Sequence, residues 1–529
     1  MNRMFSNTPN FFATISLMLS FAFATPFVQA SDFDEIGLTL LRATTTNLNG
    51  SGVTIAQVEA PVTDATPPPF EVNPAAVGIA PERFNYFVGP PTISSNASSS
   101  VFPNSLGSES GHANVVGNLF YGIGGVSTNV AHVDNYEANY FFETVVPSQI
   151  EMAGRIVNQS FIAPGTVSEQ IESDANYDHY AARFNTLFIS GAGNFGTVNP
   201  PSTSYNGISV GAFGGSSSFG PTRDNGRAKP DMVAPAEVTS YSTALVSGAA
   251  TLLLQAALRG DGGSDTNASA DIRTLKALLL NGAIKPADWT NINSSPLDPR
   301  YGAGVLNVFN SWKQLAGGRQ HFIESTSVSS GNIHPPGNAT ENISVRSGWD
   351  FNAVSSSAST DGINHYYFEI QDQFPSGNFT ATATLVWNRQ TDQSTINDLD
   401  LFLYETLSGK LIRASTSAVD NVEHLYLPAL PPGRYDLQVL KHSGGVSEIE
   451  TYALAFEFFT PTLSIRQSES SVMLAWPVYP AGFHLQFTTN INDPFSWNAV
   501  DAAPVLNNGQ NQIFLNTLSG NQFFRLSRP

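Results

Sequence analysis

The stretch VTSYSTALVSGAATLLLQAAL, residues 238–258, is the most informative part of the chain for its fold. From Thr243 to Leu258 it is apolar nearly all the way round a helix, which predicts a helix buried in a large core. Ser240 stands where that helix begins, close to its free N–H groups and the positive end of its dipole. The stretch therefore predicts the centre of the fold and also offers a candidate nucleophile.

Short apolar runs lie on the N-terminal side of this helix, at residues 53–58, 187–189 and 208–210, bounded by Gly and Asn. Such runs are typical of buried parallel strands. Residues 271–281, DIRTLKALLLN, have an amphipathic helical pattern, and Gly282 is a candidate C-cap. Strands that alternate with helices predict an α/β unit with a mostly parallel sheet flanked by helices, over residues 31–320.

Beyond about residue 325 the helical pattern stops, and strand-like segments alternate with turn signals such as Pro431-Pro432-Gly433. This pattern predicts an all-β, jelly-roll-like sandwich over residues 321–460. Residues 461–529 alternate again and predict a small C-terminal β module, with Trp476 and Trp497 as expected core anchors.

Composition excludes several classes of function for this chain of 529 residues. Its formal net charge is −19 and no Lys/Arg cluster is visible, which argues against nucleic acid and anionic membranes as partners. It has no cysteine, so disulfides, thiol catalysis and Cys-based zinc sites are excluded. Hydrophobic residues make up 41%, enough for large cores.

Residues 1–30 have the pattern of a secretory signal. Arg3 supplies the positive start, residues 11–23 the apolar run, and Val28-Gln29-Ala30 a small-residue cleavage site. The run is short for a bilayer span, so we expect a secreted or cell-envelope protein with no membrane span in the mature chain. The first strand follows closely, and we expect no folded pro-domain before it. We also expect a monomer.

Four segments carry residues suited to nucleophilic catalysis. GVTIAQVE ends on Glu59, SGHAN contains His112, SGAGNFG contains Asn194, and Ser240 opens the buried helix. A serine hydroxyl needs a base, the imidazole needs a carboxylate on its other nitrogen, and the oxyanion needs donors such as an Asn amide. The order carboxylate, His, Ser is that of subtilisin.

With these segments in this order, residues 35–320 resemble the subtilase family of subtilisin-like serine peptidases. The matching segments are GVTIAQVE (52–59), SGHANVVGNLFYG (110–122), IVNQSF (156–161), SGAGNFG (190–196), PDMVAP (230–235), VTSYSTALVSGAA (238–250) and RYGAG (300–304). The resemblance implies that Glu59, His112 and Ser240 form the triad and that Asn194 holds the oxyanion. It further implies that Ser160, Phe161, Gly191 and Gly193 line the substrate cleft, where an extended peptide adds as a strand.

The chain departs from the family pattern at the carboxylate. Glu59 stands where the family has Asp, and it is one methylene longer. Asp64 is the alternative carboxylate, but it lies beyond the strand end in a Pro-rich loop, so Glu59 is preferred. His132 is the alternative base, but it sits in a strand-like run and is interpreted as structural.

The sequence before Ser240 also departs from the pattern. Val238 replaces a Gly that lets backbone and substrate approach closely, Ala244 replaces a helix Pro, and the link from Pro235 to Ser240 is short. These changes keep open a second hypothesis, a subtilase fold that binds proteins without turnover. An esterase with the same triad is the third. The first hypothesis is a serine endopeptidase that acts on protein or peptide substrates.

No metal or cofactor is required by this chemistry. The region around Asp398 and Asp400 resembles the pre-peptidase C-terminal and proprotein-convertase-type sandwiches that follow many subtilases, some of which bind Ca²⁺. The two aspartates fall on one strand face and supply oxygen ligands, so Ca²⁺ is a possible structural ion. A solvated acidic face is the alternative.

Overall fold

The structure is a computed structural model, and it describes the larger part of the chain. The described residues are 16–17, 30–325, 336–371, 379–391, 393–461, 463–468, 471–477, 483–493, 495–507, 510–516 and 521–527. Nearly all of the expected secretory signal, residues 1–30, lies outside these ranges.

The strands of the first part of the chain are short and mostly buried. They are β1 (Ser16–Leu17), β2 (Thr54–Glu59), β3 (Pro69–Glu71), β4 (Phe84–Val88), β5 (Ala97–Ser99), β6 (Ser108–Glu109), β7 (His132–Glu137), β8 (Ile156–Gln159), β9 (Phe161–Ile162), β10 (Leu187–Gly191), β11 (Ile208–Phe213) and β12 (Met232–Pro235).

Eight of these strands form the central sheet in the order β12-β11-β10-β8-β2-β7-β4-β5. All neighbouring pairs are parallel except β4 with the edge strand β5. The expected mostly parallel sheet is therefore confirmed. Because β2 and β10 run the same way in one sheet, their carboxyl ends, where Glu59 and Gly191 lie, face the same edge of the molecule.

Helices cover this sheet. They are α1 (Ala30–Glu35), α2 (Leu38–Thr44), α3 (Pro74–Val77), α4 (Gly111–Phe120), α5 (Ala138–Tyr140), α6 (Val167–Phe184), α7 (Thr239–Leu258), α8 (Thr266–Ser269), α9 (Ile272–Asn281) and α10 (Val308–Ala316), with a 3₁₀ turn at Pro81–Arg83 and a π-helical turn at Phe141–Val145.

Helix α7 is the buried helix that residues 243–258 predict. Within the described part of the chain it is the one helix long and apolar enough to cross a membrane, but most of its length is buried inside the protein. It packs against β8, β10 and β11 on the sheet and against α4 beside it. It is therefore the core helix of a globular domain, and its first residues reach the sheet edge where Glu59 ends β2.

Helix α9 differs from its expected amphipathic character, because all of its residues except Arg273 are buried. One side packs on α10 and α7, and the other contacts the sandwich that follows. Asn281, at its end, accepts hydrogen bonds from Thr382 and Thr384 at 2.9 and 3.0 Å. Of the polar residues in the pattern, Arg273 and Asn281 thus bond to the sandwich, whereas Lys276 bonds within the α/β domain.

The described residues of the second part of the chain form eight antiparallel strands. They are β13 (Ser347–Ser355), β14 (Gly362–Ile370), β15 (Phe379–Trp387), β16 (Leu399–Glu405), β17 (Lys410–Ser415), β18 (Val422–Leu430), β19 (Gly433–Lys441) and β20 (Ile449–Phe459). They form two sheets, β13-β20-β15-β18 and β14-β19-β16-β17. This order, first-eighth-third-sixth against second-seventh-fourth-fifth, is that of a jelly roll, so the expected sandwich is confirmed.

The last part of the chain is a small β unit with its own core. Its strands are β21 (Ser464–Ser468), β22 (Ser471–Pro477), β23 (His484–Thr488), β24 (Asn498–Ala499), β25 (Val505–Asn507), β26 (Gln510–Asn516) and β27 (Phe523–Ser527). Trp476 lies in this core, as predicted. Trp497 does not: it is partly exposed, and the guanidinium of Arg525 lies 4.2 Å from its ring centroid.

A buried lysine lies where the α/β part meets the sandwich. Lys285 is 4% exposed, and its Nζ donates to the carbonyl of Ala283 at 3.1 Å. Its ammonium group also lies 5.3 and 5.5 Å from the rings of Trp289 and Tyr426. Burial lowers the pKa of Lys285 to about 7, because an ammonium group in this position loses its hydration.

We expect Lys285→Met to raise the melting temperature, and to raise it more at pH 6 than at pH 9. The pKa of Lys285 is about 7 when folded and about 10.5 when unfolded, so the native chain gains stability as pH rises through this interval. The variant has no such gain. Thermal melts at both pH values test this, with the exposed Lys410→Met as control. An equal rise at both pH values would contradict it.

Candidate active site

Buried Glu59 and partly exposed His112 form a pair at the carboxyl edge of the sheet. Glu59 is the last residue of β2 and is 1% exposed. Its Oε2 lies 2.8 Å from Nδ1 of His112. A carboxylate on Nδ1 fixes the imidazole so that Nε2 is the nitrogen free to accept a proton. The extra methylene of Glu thus does not prevent the predicted contact.

Helix α4 places His112 in its first turn. Ser110 is the N-cap, and its side chain accepts from the backbone N–H of Ala113 at 3.2 Å. The Nε2 atom of His112 is shielded from solvent and has no hydrogen-bond partner among the described residues. The nitrogen opposite Glu59 is therefore available to another group.

Ser240 is the second residue of α7 and is completely buried. Its Oγ, like Nε2 of His112, has no hydrogen-bond partner among the described residues. The two helices that carry these atoms pack against each other. The structure thus brings His112 to Glu59 but forms no His112–Ser240 hydrogen bond, a contact that is often absent without substrate.

Asn194 joins the glycine-rich loop to the start of α7. Its Oδ1 accepts from the backbone N–H of Thr239 at 3.0 Å and from the Thr239 hydroxyl at 2.9 Å. Val238, the N-cap residue of α7, makes no side-chain cap hydrogen bond. Asn194 therefore caps the helix from outside. With its oxygen held, the amide nitrogen, which has no partner among the described residues, is free to donate.

Of the four residues predicted to bind substrate, Ser160 is the one with a hydrogen bond to Ser240 in the described part of the chain. The hydroxyl of Ser160 donates to the carbonyl of Ser240 at 3.1 Å. Phe161 is in β9, its side chain is buried in the core, and its backbone lies opposite Leu17 of β1, which pairs with β9 in antiparallel fashion. Gly191 ends β10. Gly193 has φ 107° and a Cβ there would lie 2.7 Å from Oγ of Ser218, so only glycine fits.

The alternative residues are placed apart from this cluster. His132 begins β7 opposite Thr54, at the amino end of the sheet, whereas Glu59 is at the carboxyl end. Its Nε2 lies 3.6 Å from Asp134. Asp64 is exposed, and no hydrogen bond joins it to His112 in the described part of the chain. The carboxylate that contacts His112 is that of Glu59.

Val238 has an extended backbone, with φ −144° and ψ 156°. Any residue adopts this conformation, so the Gly expected from the family pattern is not needed for backbone geometry. The link from Pro235 to Ser240 runs directly from β12 into α7. Val238 therefore leaves the helix start intact, and its effect on turnover depends only on the space its side chain occupies.

Sequence reasoning missed three residues of this site: Gln57, Tyr121 and Thr239. Gln57 hydrogen-bonds to Glu59, Tyr121 to Gln57, and Thr239 to Asn194. One signal was present for Gln57, since it is a polar residue inside an otherwise apolar strand, two positions before Glu59 and so on the same face.

A second buried glutamate, Glu71, lies beside the start of α4. It ends β3, its backbone carbonyl accepts from the N–H of Ser110 at 2.9 Å, and its side chain is fully buried. Among the described residues, no hydrogen bond of good geometry reaches either carboxyl oxygen, although Asn104 and the Gly107 backbone lie close enough to favour the ionised form in part. Burial raises the pKa of Glu71 to about 7, because the ionised form is poorly solvated here.

A cluster of possible metal ligands lies in the sandwich. One ligand atom each from Asp398, Asp400 and His442 lie within 4.8 Å of one another. His442 Nε2 is 2.9 Å from Asp400 Oδ2, and this hydrogen bond raises the pKa of His442. Ca²⁺ takes about six to eight oxygen ligands, so two carboxylates beside an imidazole fit it only in part.

A family model described as Subtilase family matches residues 137–304 of this chain. The match confirms the resemblance over the part that carries Asn194 and Ser240. It does not extend to Glu59 or His112, so the first two members of the predicted triad rest on the residues and geometry described above. No curated protein matches the chain.

The solved structures that are similar to the chain include the following three. The patellamide maturation protease PatA is 20% identical with a TM-score of 0.33, over 51% of this chain and 98% of its own. Tripeptidyl peptidase 2 is 12% identical with a TM-score of 0.27, over 73% of this chain and 43% of its own. A periplasmic assembly of the ESX-5 inner membrane complex is 14% identical with a TM-score of 0.31, over 63% of this chain and 92% of its own.

We expect Glu71→Gln to stabilise the protein, with a gain that grows from pH 4.5 to pH 7. The pKa of Glu71 is raised from 4.5 to about 7 on folding, so the native chain loses stability as pH rises through this interval. The neutral amide avoids that loss, so the gain should be largest above pH 7. Thermal melts at pH 4.5, 6 and 8 measure the gain. The exposed Glu82→Gln is the control, and a gain independent of pH would contradict this expectation.

Proposed function

We propose that this chain is a serine endopeptidase of the subtilisin type that is exported and acts as a monomer on protein or peptide substrates. The observation that carries the proposal is the 2.8 Å contact between buried Glu59 and His112, whose helix packs against the one that begins with Thr239 and Ser240. A buried carboxylate that leaves the far imidazole nitrogen free is what a serine nucleophile requires.

In the proposed reaction, Ser240 Oγ attacks the scissile carbonyl and passes its proton to Nε2 of His112. Glu59 stabilises the imidazolium through Nδ1. The developing oxyanion takes hydrogen bonds from the Asn194 amide nitrogen and the Ser240 backbone N–H, which lies in the first turn and has no partner within the helix. His112 then protonates the leaving amine, and water hydrolyses the acyl-enzyme by the same steps.

The substrate backbone would add as a strand beside Ser160 and Phe161, in the place where β1, part of the expected secretory signal, pairs with β9 in this structure. Ser160 is tied to the Ser240 carbonyl, so the strand and the nucleophile keep a fixed relation. Since the side chain of Phe161 is buried, backbone pairing rather than this aromatic ring would hold the peptide.

A binding protein without turnover is the second candidate, favoured by Val238 and by the missing His112–Ser240 hydrogen bond. An esterase is the third, because ester hydrolysis uses the same groups. Relative rates on matched ester and amide substrates separate the esterase from the peptidase.

We expect a fluorophosphonate probe to label Ser240, because the reagent traps an activated serine. Labelling should vanish in Ser240→Ala and fall by about 10⁴-fold or more in His112→Ala. Asn194→Ala should keep the nucleophile but lower kcat by about 10²–10³-fold. Mass spectrometry of the labelled peptide and casein hydrolysis measure these effects.

Ser242→Ala is the matched control, since Ser242 lies two residues further along α7 and its hydroxyl bonds to the Ala234 carbonyl at 3.0 Å. A folded wild type that takes no label, with casein traces equal to those of Ser240→Ala, would contradict the peptidase and favour the binding protein.

Catalysis in this proposal needs no cofactor, and Ca²⁺ would act only as a structural ion held by Asp398 and Asp400. Binding to the folded state alone adds about 1.4 kcal/mol when free Ca²⁺ is about tenfold above its Kd. We therefore expect Ca²⁺ to raise the melting temperature of the wild type but not of Asp400→Asn. The exposed Asp501→Asn is the control. A melting temperature that Ca²⁺ leaves unchanged would contradict the ion.

A further inference from the structure

Gln57 is a fully buried polar side chain at the centre of β2. Its Nε2 donates to Oε1 of Glu59 at 2.8 Å and to the backbone carbonyl of Ala113 at 2.9 Å. Its Oε1 accepts from the hydroxyl of Tyr121 at 2.7 Å. Both amide N–H groups and the amide oxygen are therefore used, and every partner except Glu59 belongs to α4 or to its C-cap residue, Tyr121.

The direction of this amide is fixed by Tyr121. Burial raises the pKa of Tyr121 well above its ordinary value, so the phenol keeps its proton and donates it. If the amide group were rotated by about 180°, its oxygen would face the Ala113 carbonyl and Glu59 Oε1, which are both acceptors. The arrangement with Nε2 toward Glu59 is the one in which each donor meets an acceptor.

Gly117 makes room for this contact. A Cβ at Gly117 would lie 2.8 Å from the Tyr121 hydroxyl and 3.1 Å from Oε1 of Gln57. A helix interior ordinarily favours Ala over Gly by about 1 kcal/mol. A glycine at this position of α4 therefore has a packing reason, since it lets the Tyr121–Gln57 hydrogen bond form.

We propose that Gln57, oriented by Tyr121, is a positioning residue that holds Glu59 against His112. The proposal rests on the function given above. Each oxygen of the Glu59 carboxylate has one side-chain partner: Oε2 contacts His112 and Oε1 contacts Gln57. A glutamate has one more rotatable bond than an aspartate, and the hydrogen bond from Gln57 removes that freedom. The hydrogen bond from the Gln57 side chain to the Ala113 carbonyl also fixes this amide relative to the first turn of α4, which carries His112.

Two consequences follow. Loss of the Gln57 amide should lower kcat and leave KM unchanged, because Gln57 reaches the substrate only through Glu59 and His112. Glu59→Asp should not be conservative, because a shorter side chain withdraws the carboxylate from Gln57, from His112, or from both. Gln57 therefore accounts for the use of Glu at this position.

The test compares Gln57→Met, which keeps the volume and removes the hydrogen bonds, with Tyr121→Phe and Gly117→Ala. Gln57→Met should lower kcat about 10- to 100-fold, the effect of losing one hydrogen bond to a charged group. The other two should lower it less, since they disturb the amide without removing it. Gln314→Met is the matched control, a buried glutamine that bonds to the Glu457 carboxylate at 3.1 Å, far from this site.

A second readout does not depend on turnover. The proton between Nδ1 of His112 and Glu59 should give a far-downfield NMR resonance, assigned by its loss in His112→Ala. That resonance should shift or disappear in Gln57→Met and persist in Gln314→Met. In a Glu59→Asp background, Gln57→Met should cost less than in the wild type, because the two residues act through one contact.

The outcomes separate the two proposals. If the wild type takes no fluorophosphonate label, the proposed function fails, and the NMR resonance alone decides the role of Gln57. If the wild type is labelled but a folded Gln57→Met keeps both its kcat and the resonance, the positioning role is overturned and the function stands. If Gln57→Met does not fold, Tyr121→Phe and Gly117→Ala decide it, and unchanged kcat and resonance in both would overturn it.

Discussion

The burial of one carboxylate is the constraint around which this site is arranged. Glu59 lies at the end of a central strand with almost no exposure, and an ionised group there is costly unless hydrogen bonds replace its water. His112 and Gln57 supply those bonds, one to each oxygen. Both hydrogen bonds depend on the position of α4 against β2. The packing of this helix on the sheet therefore also sets the orientation of the imidazole.

At the start of α7, one side chain likewise serves both the fold and the site. A buried helix start needs acceptors for its N–H groups, and Val238 cannot provide one. Asn194, from another loop, accepts these hydrogen bonds with its amide oxygen. Its amide nitrogen is thereby oriented and stays available as a donor. The stability of the helix and the direction of the predicted oxyanion donor are therefore linked through one side chain.

The elements around the site could be predicted because their signals are local. β2 is an apolar run, and α7 is apolar on all sides, so neither needs knowledge of its neighbours. The role of Gln57 could not be derived this way, because its partners Ala113 and Tyr121 come from a helix more than fifty residues away. The burial of α9 was missed for a similar reason: the sandwich covers one side of this helix, and no local pattern encodes the position of that domain.

The contact between α9 and the sandwich has a consequence for how the chain matures. The surface of α9 that meets β15 and β20 is completed only by residues 379–459, which follow the last predicted triad residue by more than a hundred positions. During synthesis, at about 5–20 residues per second, the first domain thus exists for some time with an uncovered face. Ser240 is synthesised well before the residues that cover α9, so the order of translation itself delays completion of the fold around it.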